Sequence, residues 1–251
     1  MNKLKMSQKK ELSSIVITCH NYGRFLGECI NSTLAQTYPV KEIIVINDAS
    51  DDDSESVAKS FGDKIQYFAV DFCNGQKTRN FGLQKACGKY ILFLDADDYL
   101  REDCIEEMQE EMEKDEELYI VYSGRYNVGN KNIMKKCGLS NEEKSLDYNY
   151  NILKYLNFIS ITSLIRRDKF EGFDESMQRY QDWDAWLTLL DGGKKAKRIA
   201  KPLFFARFHG KNLTVRTNQW KMLYLFHVKR HGYIGGIISL FLSAVYGKKF
   251  G

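Results

Sequence analysis

Proline is almost missing from this 251-residue chain: Pro39 and Pro202 are the only two. Neither lies in a Pro-rich or low-complexity tract, so no flexible hinge between domains is marked. No apolar run reaches the ~20 residues that a helix needs to cross a bilayer. No Cys-x-x-Cys pair occurs among cysteines 19, 29, 73, 87, 104 and 137, which read as reduced, mostly buried thiols of a cytosolic chain. Met1 to Glu11 is polar and basic, without the apolar centre of a secretory signal, and residues 1–12 read as a disordered leader. Glycine-rich phosphate loops are also missing. No Gly-x-Gly-x-x-Gly follows the first strand, and Gly82 to Tyr90 is one residue too long for a P-loop, with Tyr90 where a hydroxyl should meet Mg²⁺.

Acidic residues stop at Asp191, whereas residues 192–251 hold 13 Lys and Arg. The preceding part carries the other 24 basic residues against all 33 acidic ones, a balance of −9. Such a split points the C-terminal part at an anionic partner. No helix-turn-helix, zinc-finger or RNP-like pattern accompanies the charge, so nucleic acid is not the expected partner. Tyr233 to Tyr246 is apolar and lies between Lys229-Arg230 and Lys248-Lys249, which suits an anionic membrane surface. A helix docked on the core, or an oligomer contact, is the other use of that stretch.

What the chain does have is a succession of short buried runs ending in carboxylates. Tyr90 to Leu94 leads into Asp95-Ala96-Asp97-Asp98, and Glu42 to Ile46 into Asn47-Asp48. Runs of this kind read as parallel strands, whose C-terminal ends are where open α/β sheets place ligands. Three acids at one strand end call for a cation, and hard oxygen donors favour Mg²⁺ or Mn²⁺ completed by water and substrate phosphates. A solvated turn capping the next helix is the bland reading of the tetrad alone. The second acidic strand end favours the ligand reading. Between Ser14-Ile15-Val16-Ile17 and Glu42, residues Phe25, Leu26, Cys29, Ile30 and Leu34 fall at helical spacing, giving a βαβ unit.

Further strands are expected near 64–70 and at 159–165, and helices over Gly75–Cys87, Asp103–Leu118 and Asp147–Phe158. A strand pair is expected over 119–135, turning at Val128 to Lys131. Length and composition suit one α/β domain with a sizeable core.

In order and spacing, Ile15 to Tyr22, Gln36 to Pro39, Glu42 to Ser50, Arg79 to Gly82, Asp95 to Asp98, Gly172 to Glu175, Gln181 to Leu187 and Arg207 to Thr214 resemble the family 2 glycosyltransferases. The resemblance implies a GT-A fold: a Rossmann-like open mixed sheet flanked by helices, over 13–217, with a C-terminal helical extension over 218–251. It implies an inverting, metal-dependent transferase that takes a sugar from a nucleotide-sugar donor, expected to be UDP-linked. The acceptor is expected to be a saccharide or lipid-linked, in cell-surface polysaccharide synthesis, on the cytoplasmic face of the membrane. A catalytically weak or inactive nucleotide-sugar-binding or scaffold protein on the same fold is the alternative, favoured by Asn47 and Gln181, which stand where the family usually has acids.

By the same resemblance, Asp97 is the carboxylate ligand of Mn²⁺ or Mg²⁺ and His209 approaches the metal or diphosphate. Asp95 meets the ribose, Asp48 reads the base, and Arg79 pairs with a phosphate or orients an aspartate. Thr18, His20 and Asn21, at the end of the first strand, are expected to bind the nucleotide sugar, with His20 placed to stack on the base. Asp182 is the expected general base, since a carboxylate beside the indoles of Trp183 and Trp186 would have a raised pKa. Asp184 is the alternative base, and Asp51, Asp52 and Asp53 read as loop and helix-cap residues.

Overall fold

The first apolar run is apolar throughout because both of its faces are covered. In the computed structural model, which describes residues 12–177, 179–210 and 219–250, β1 (Ser13–Cys19) sends Ile15 and Ile17 into one core and Val16 into the other. Helix α1 (Gly23–Leu34) covers the first face with Leu26, Cys29 and Ile30. The chain continues through β2 (Glu42–Asp48), α2 (Ser54–Lys59), β3 (Gln66–Val70), α3 (Gly75–Lys85) and β4 (Tyr90–Asp95). These four strands lie parallel in the order β3-β2-β1-β4. Thr18 is level with Asp95 and Cys19 with Asn47, so the strand ends that carry the acids reach one edge together.

The remaining elements are β5 (Tyr99–Leu100), α4 (Cys104–Lys114), β6 (Leu118–Gly129), α5 (Lys131–Lys136), β7 (Glu142–Glu143), α6 (Tyr150–Leu153), β8 (Leu164–Arg166), α7 (Gln181–Leu189), β9 (Lys195–Phe208) and α8 (Gln219–Phe250). The sheet runs on from β4 as β8-β6-β9-β5, with β7 paired to β6. Because β8 is antiparallel to β4 and β6, the nine-stranded sheet is mixed. One core lies between α1, α4 and the sheet; the other holds Trp183 and Trp186 of α7.

The expected hairpin over 119–135 is not formed. β6 instead runs unbroken to Gly129, and the side chain of Asn130 accepts from the amides of Asn132 and Ile133, starting α5 where a returning strand was expected. Its long partner is β9, parallel and alongside almost all of β6. The helix expected over Asp147–Phe158 is only the four residues of α6, and the following strand is the three residues of β8.

Residues 1–11 of the expected leader, and Lys211 to Thr214 of the family-like segment, lie outside the described residues. Leu12 is described, and its carbonyl accepts from the Lys89 amide. The C-terminal extension is a hairpin, since Gly232 leaves helical geometry with φ 69° and ψ 177°. Its first arm docks on the domain: Phe226 stacks on Trp183 at 4.4 Å, Lys229 pairs with Asp174 and Arg230 with Asp184. The second arm returns along the first, joined by a 2.7 Å hydrogen bond between His227 Nε2 and Ser243 Oγ, and Tyr246 stacks on Tyr155. Burial pushes the His227 imidazole down to about 4, so the ring is neutral in this contact at physiological pH.

Helix α3 lies so close to the sheet that a Cβ on Gly82 would fall 2.3 Å from Val16 Cγ1 and 2.8 Å from Ile46 Cδ1. Gly82→Ala should therefore destabilise the domain by about 1–3 kcal/mol through overpacking, despite alanine's better helix propensity. Urea unfolding measures this, and a stabilised variant would show that α3 does not rest on β1 and β2 in this way.

Candidate active site

The loops beyond β1, β2 and β4 bring the acids together, and each acid is compensated differently. Asp95 accepts from Arg79 Nη2 at 2.6 Å and from Thr18 Oγ1 at 3.3 Å. The side chain of Arg79 is almost wholly buried while that of Asp95 is 37% exposed, so the pair has a dry side and an open one. Two residues on, Asp97 Oδ2 lies 2.9 Å from His209 Nε2. The His209 ring packs against Tyr22 and Phe25, with centroids at 5.3 and 5.1 Å. Asp98 accepts from the Arg207 amide, and the Arg207 guanidinium bonds the Asp97 carbonyl and Glu28.

Burial pushes the carboxyl of Asp97 upward, and the bond to His209 offsets this in part. Asp98 is raised well above the usual carboxylate range by burial and by the neighbouring charges of Asp97 and Asp95. This edge thus favours added positive charge. Among the described residues no group of three or more His, Cys, Asp and Glu side chains could by itself hold a metal. Asp97 and His209 fit a more open arrangement, in which two protein donors leave the rest of the shell of Mn²⁺ or Mg²⁺ to water and substrate phosphate.

Asp48 is committed locally. Its Oδ1 accepts from the amides of Phe72 and Cys73, and its Oδ2 from the Asn74 amide and Thr78 Oγ1, at 2.7–3.0 Å. The carboxylate therefore shapes the loop entering α3. Burial works to raise its pKa, but bonds from Thr78, Cys73, Asn74 and Phe72 outweigh that and hold it below the usual value. The neighbouring Asn47 is buried, donating to Tyr67 Oη at 3.2 Å.

His20 presents an exposed ring whose Nδ1 is 2.6 Å from the Asp48 carbonyl, so it stands over the same loop. Asn21 fastens two loops instead of facing the acids of β4: its amide donates to Ser50 Oγ and its Oδ1 accepts from the Asp51 amide. Asp52 accepts from the amides of Gly23 and Ser54, as a loop and cap residue should, while Asp53 makes no side-chain cap bond.

Asp182 sits in the first turn of α7 and accepts from the Trp183 amide at 2.8 Å and from Asn157 Nδ2 at 3.2 Å. Burial raises its pKa; the bonds from Trp183 and Asn157, and the nearby charge of Arg79, act the other way. Arg79 thereby links Asp95 to the surroundings of Asp182. Asp184 is held by Arg230 and faces the C-terminal hairpin. Asn157, Thr78 and the polar contacts of Arg207 were not foreseen as parts of the site. Only the Arg207 segment carried a sequence signal, because Asn157 meets Asp182 across an irregular stretch with no periodicity to read.

The open mixed sheet flanked by helices, with carboxylates gathered at the ends of its parallel strands, is a GT-A-like fold. The chain matches the model of Glycosyl transferase family 2 over residues 14–173 and belongs to that family. An uncharacterized glycosyltransferase of Rickettsia typhi is 33% identical over 195 residues, 74% of this chain and 61% of the relative, so the match spans less than two thirds of that protein. The UDP-Glc:alpha-D-GlcNAc-diphosphoundecaprenol beta-1,3-glucosyltransferase WfaP of Escherichia coli is 29% identical over 244 residues, covering 94% of each chain. Among solved structures, S. aureus TarS 1–349 in complex with UDP-GlcNAc superposes with a TM-score of 0.69 at 16% identity, covering 96% of this chain and 73% of that one. The mannosyltransferase PcManGT of Pyrobaculum calidifontis, in complex with GDP-Man and Mn²⁺, gives 0.59 at 14% identity, covering 93% and 64%.

The Asp48 cradle has a definite acid signature. Asp48→Asn removes one acceptor oxygen from a buried cluster of donors and should cost about 1–3 kcal/mol at neutral pH. Since the folded pKa is depressed, the native carboxylate's contribution is complete above the unfolded value of about 3.9 and is lost as pH falls through the folded value. The stability gap between the two proteins should accordingly narrow below about pH 4, and a gap that widened there in urea titrations would contradict the cradle.

Proposed function

We propose that the chain is an inverting transferase that moves one sugar from a UDP-linked donor to a hydroxyl of a saccharide or lipid-linked acceptor, in cell-surface polysaccharide synthesis. The carrying observation is Asp182: a carboxylate of raised pKa, oriented by Asn157 and the Trp183 amide, near the arginine that holds Asp95. The UDP-linked donor and diphosphoundecaprenol acceptor in the name of the E. coli relative support this donor and acceptor class. UDP-GlcNAc bound to TarS supports the same donor nucleotide, and Mn²⁺ in PcManGT supports a divalent cation. A lipid-linked acceptor also supports a peripheral location on the cytoplasmic face of a membrane, and no helix among the described residues is long and apolar enough to cross one.

In this mechanism Asp182 takes the proton of the acceptor hydroxyl while that oxygen bonds to the anomeric carbon of the donor sugar. The bond from that carbon to the β-phosphate oxygen breaks, and nucleoside diphosphate leaves from the opposite face. One displacement inverts the anomeric centre. Asp97 and His209 would hold a divalent cation, whose chemistry is to neutralise charge gathering on the departing diphosphate. Asp95 meets the ribose and Arg79 fixes its carboxylate. His20 stacks on the base, above the loop that Asp48 shapes. Thr18 supports Asp95, and Asn21 keeps the neighbouring loop in place.

Turnover of a panel of sugar nucleotides, with Mn²⁺ or with EDTA, tests the proposal; no release of nucleotide from any donor in either condition would refute it. Asp182→Asn should lower turnover by about 10²–10⁴-fold with donor affinity nearly unchanged. Only the deprotonated carboxylate accepts a proton, and burial raises its pKa. The parent rate should therefore fall toward acid with a midpoint above the ordinary aspartate value of about 4, a limb that Asp182→Asn should lack. Parental turnover in that variant would place the base elsewhere.

A further inference from the structure

The second arm of the C-terminal hairpin has two opposed faces. Gly236, Ser239 and Ser243 face inward: the two serines are buried, and a Cβ on Gly236 would lie 2.8 Å from Val228 Cα. The outward positions, at helical spacing, are Ile234, Ile237, Ile238, Phe241 and Val245, which are 75, 50, 57, 69 and 46% exposed. A continuous stripe of five large apolar side chains on a helix is unlike the scattered apolar residues of an ordinary surface, and marks a contact site. The small inner residues let the arm lie flat on its neighbour, which leaves the large ones pointing away.

We infer that this stripe is a lipid-contacting face, by which the second arm lies in the plane of an anionic membrane surface. This deepens the membrane location proposed above and does not depend on the identity of the donor sugar. Two features of the chain select this occupant. The sequence between 233 and 246 has no charged residue, and the apolar arm is only ~21 Å long at 1.5 Å per residue, too short to span but suited to lying in the interface. The cations around it have no acidic counterpart in the sequence after Asp191. Lys229 and Arg230 are paired with Asp174 and Asp184, acids of the main domain, while Lys211, Arg216, Lys221, Lys248 and Lys249 belong to the same acid-free sequence. A second copy of this acid-free segment would add its own excess of Lys and Arg to the first, whereas a layer of anionic headgroups supplies the counter-charge that the sequence after Asp191 lacks.

Flotation of the full chain with phosphatidylglycerol-containing vesicles, compared with pure phosphatidylcholine, tests the inference. The parent should float with the anionic vesicles at low salt. Ile238→Glu and Phe241→Glu, each at an exposed position, should reduce the bound fraction at least about tenfold while leaving the circular dichroism melt unchanged. Ile234→Ser offers a milder change of the same face and should reduce binding by less. Parent protein that stays at the bottom of the gradient, or glutamate variants that float as the parent does, would overturn it. So would a parent that is dimeric by light scattering and becomes monomeric in Phe241→Glu, because the stripe would then belong to a second copy. Flotation that depends on the stripe in a protein that transfers no sugar would fail the transferase proposal and leave this inference standing.

Discussion

Negative charge concentrated at one edge of a parallel sheet is the constraint on which the site depends. The register of β1, β2 and β4 brings their ends level, so Asp48, Asp95, Asp97 and Asp98 share one region. Carboxylates in partly dry surroundings must be paired, hydrogen-bonded or protonated. The protein uses a different solution for each: a buried arginine for Asp95, an imidazole for Asp97, a β9 amide for Asp98 and a loop of amides for Asp48. Elements distant in sequence are therefore tied to this edge, and β9 reaches it only because it runs parallel to β6 along nearly its whole length.

The same accounting separates the acids that shape the fold from those available to a substrate. Both oxygens of Asp48 already hold donors, so the carboxylate shapes the loop entering α3, over which His20 stands. Asp95 is open on one side, and Asp97 and His209 form a buried pair, the one the proposed function assigns to a divalent cation. Asp182 comes to this edge from the other core, carried by α7, whose indoles are buried against the sheet. Trp183 links the two ends of that arrangement: its amide orients Asp182, its ring stacks on Phe226, and the hairpin bearing the apolar stripe is anchored there.

The first half of the fold was legible because its signals are local. Apolar runs with acids at their ends, and one helix-spaced segment between them, were enough for the βαβ unit and for the edge where the acids gather. The second half was not, because its strands are defined by partners far away in the chain. Residues 119–135 suggested a strand pair, but the long partner of β6 is 195–208, far along the chain and beginning in a segment dense in Lys and Arg. Among the site residues, Asp95, Asp97 and Asp182 lie in motifs and could be named. Asn157, by contrast, is 25 residues from the carboxylate it orients and has no motif of its own. In the expected helical extension, Gly232 decided the arrangement: a single positive φ divides it into two arms with one face docked and one bare.

The central claim is that the acidic edge is a half-built cation site completed by a nucleoside diphosphate. Anomalous diffraction at the manganese edge, from crystals grown with UDP and Mn²⁺, tests it directly. The account predicts one strong peak bonded to Asp97 and His209, with diphosphate oxygens filling the rest of the shell and the Asp182 carboxylate facing the space where the sugar would sit. A peak confined to the Asp51–Asp53 loop, or UDP bound away from the ends of β1, β2 and β4, would contradict it.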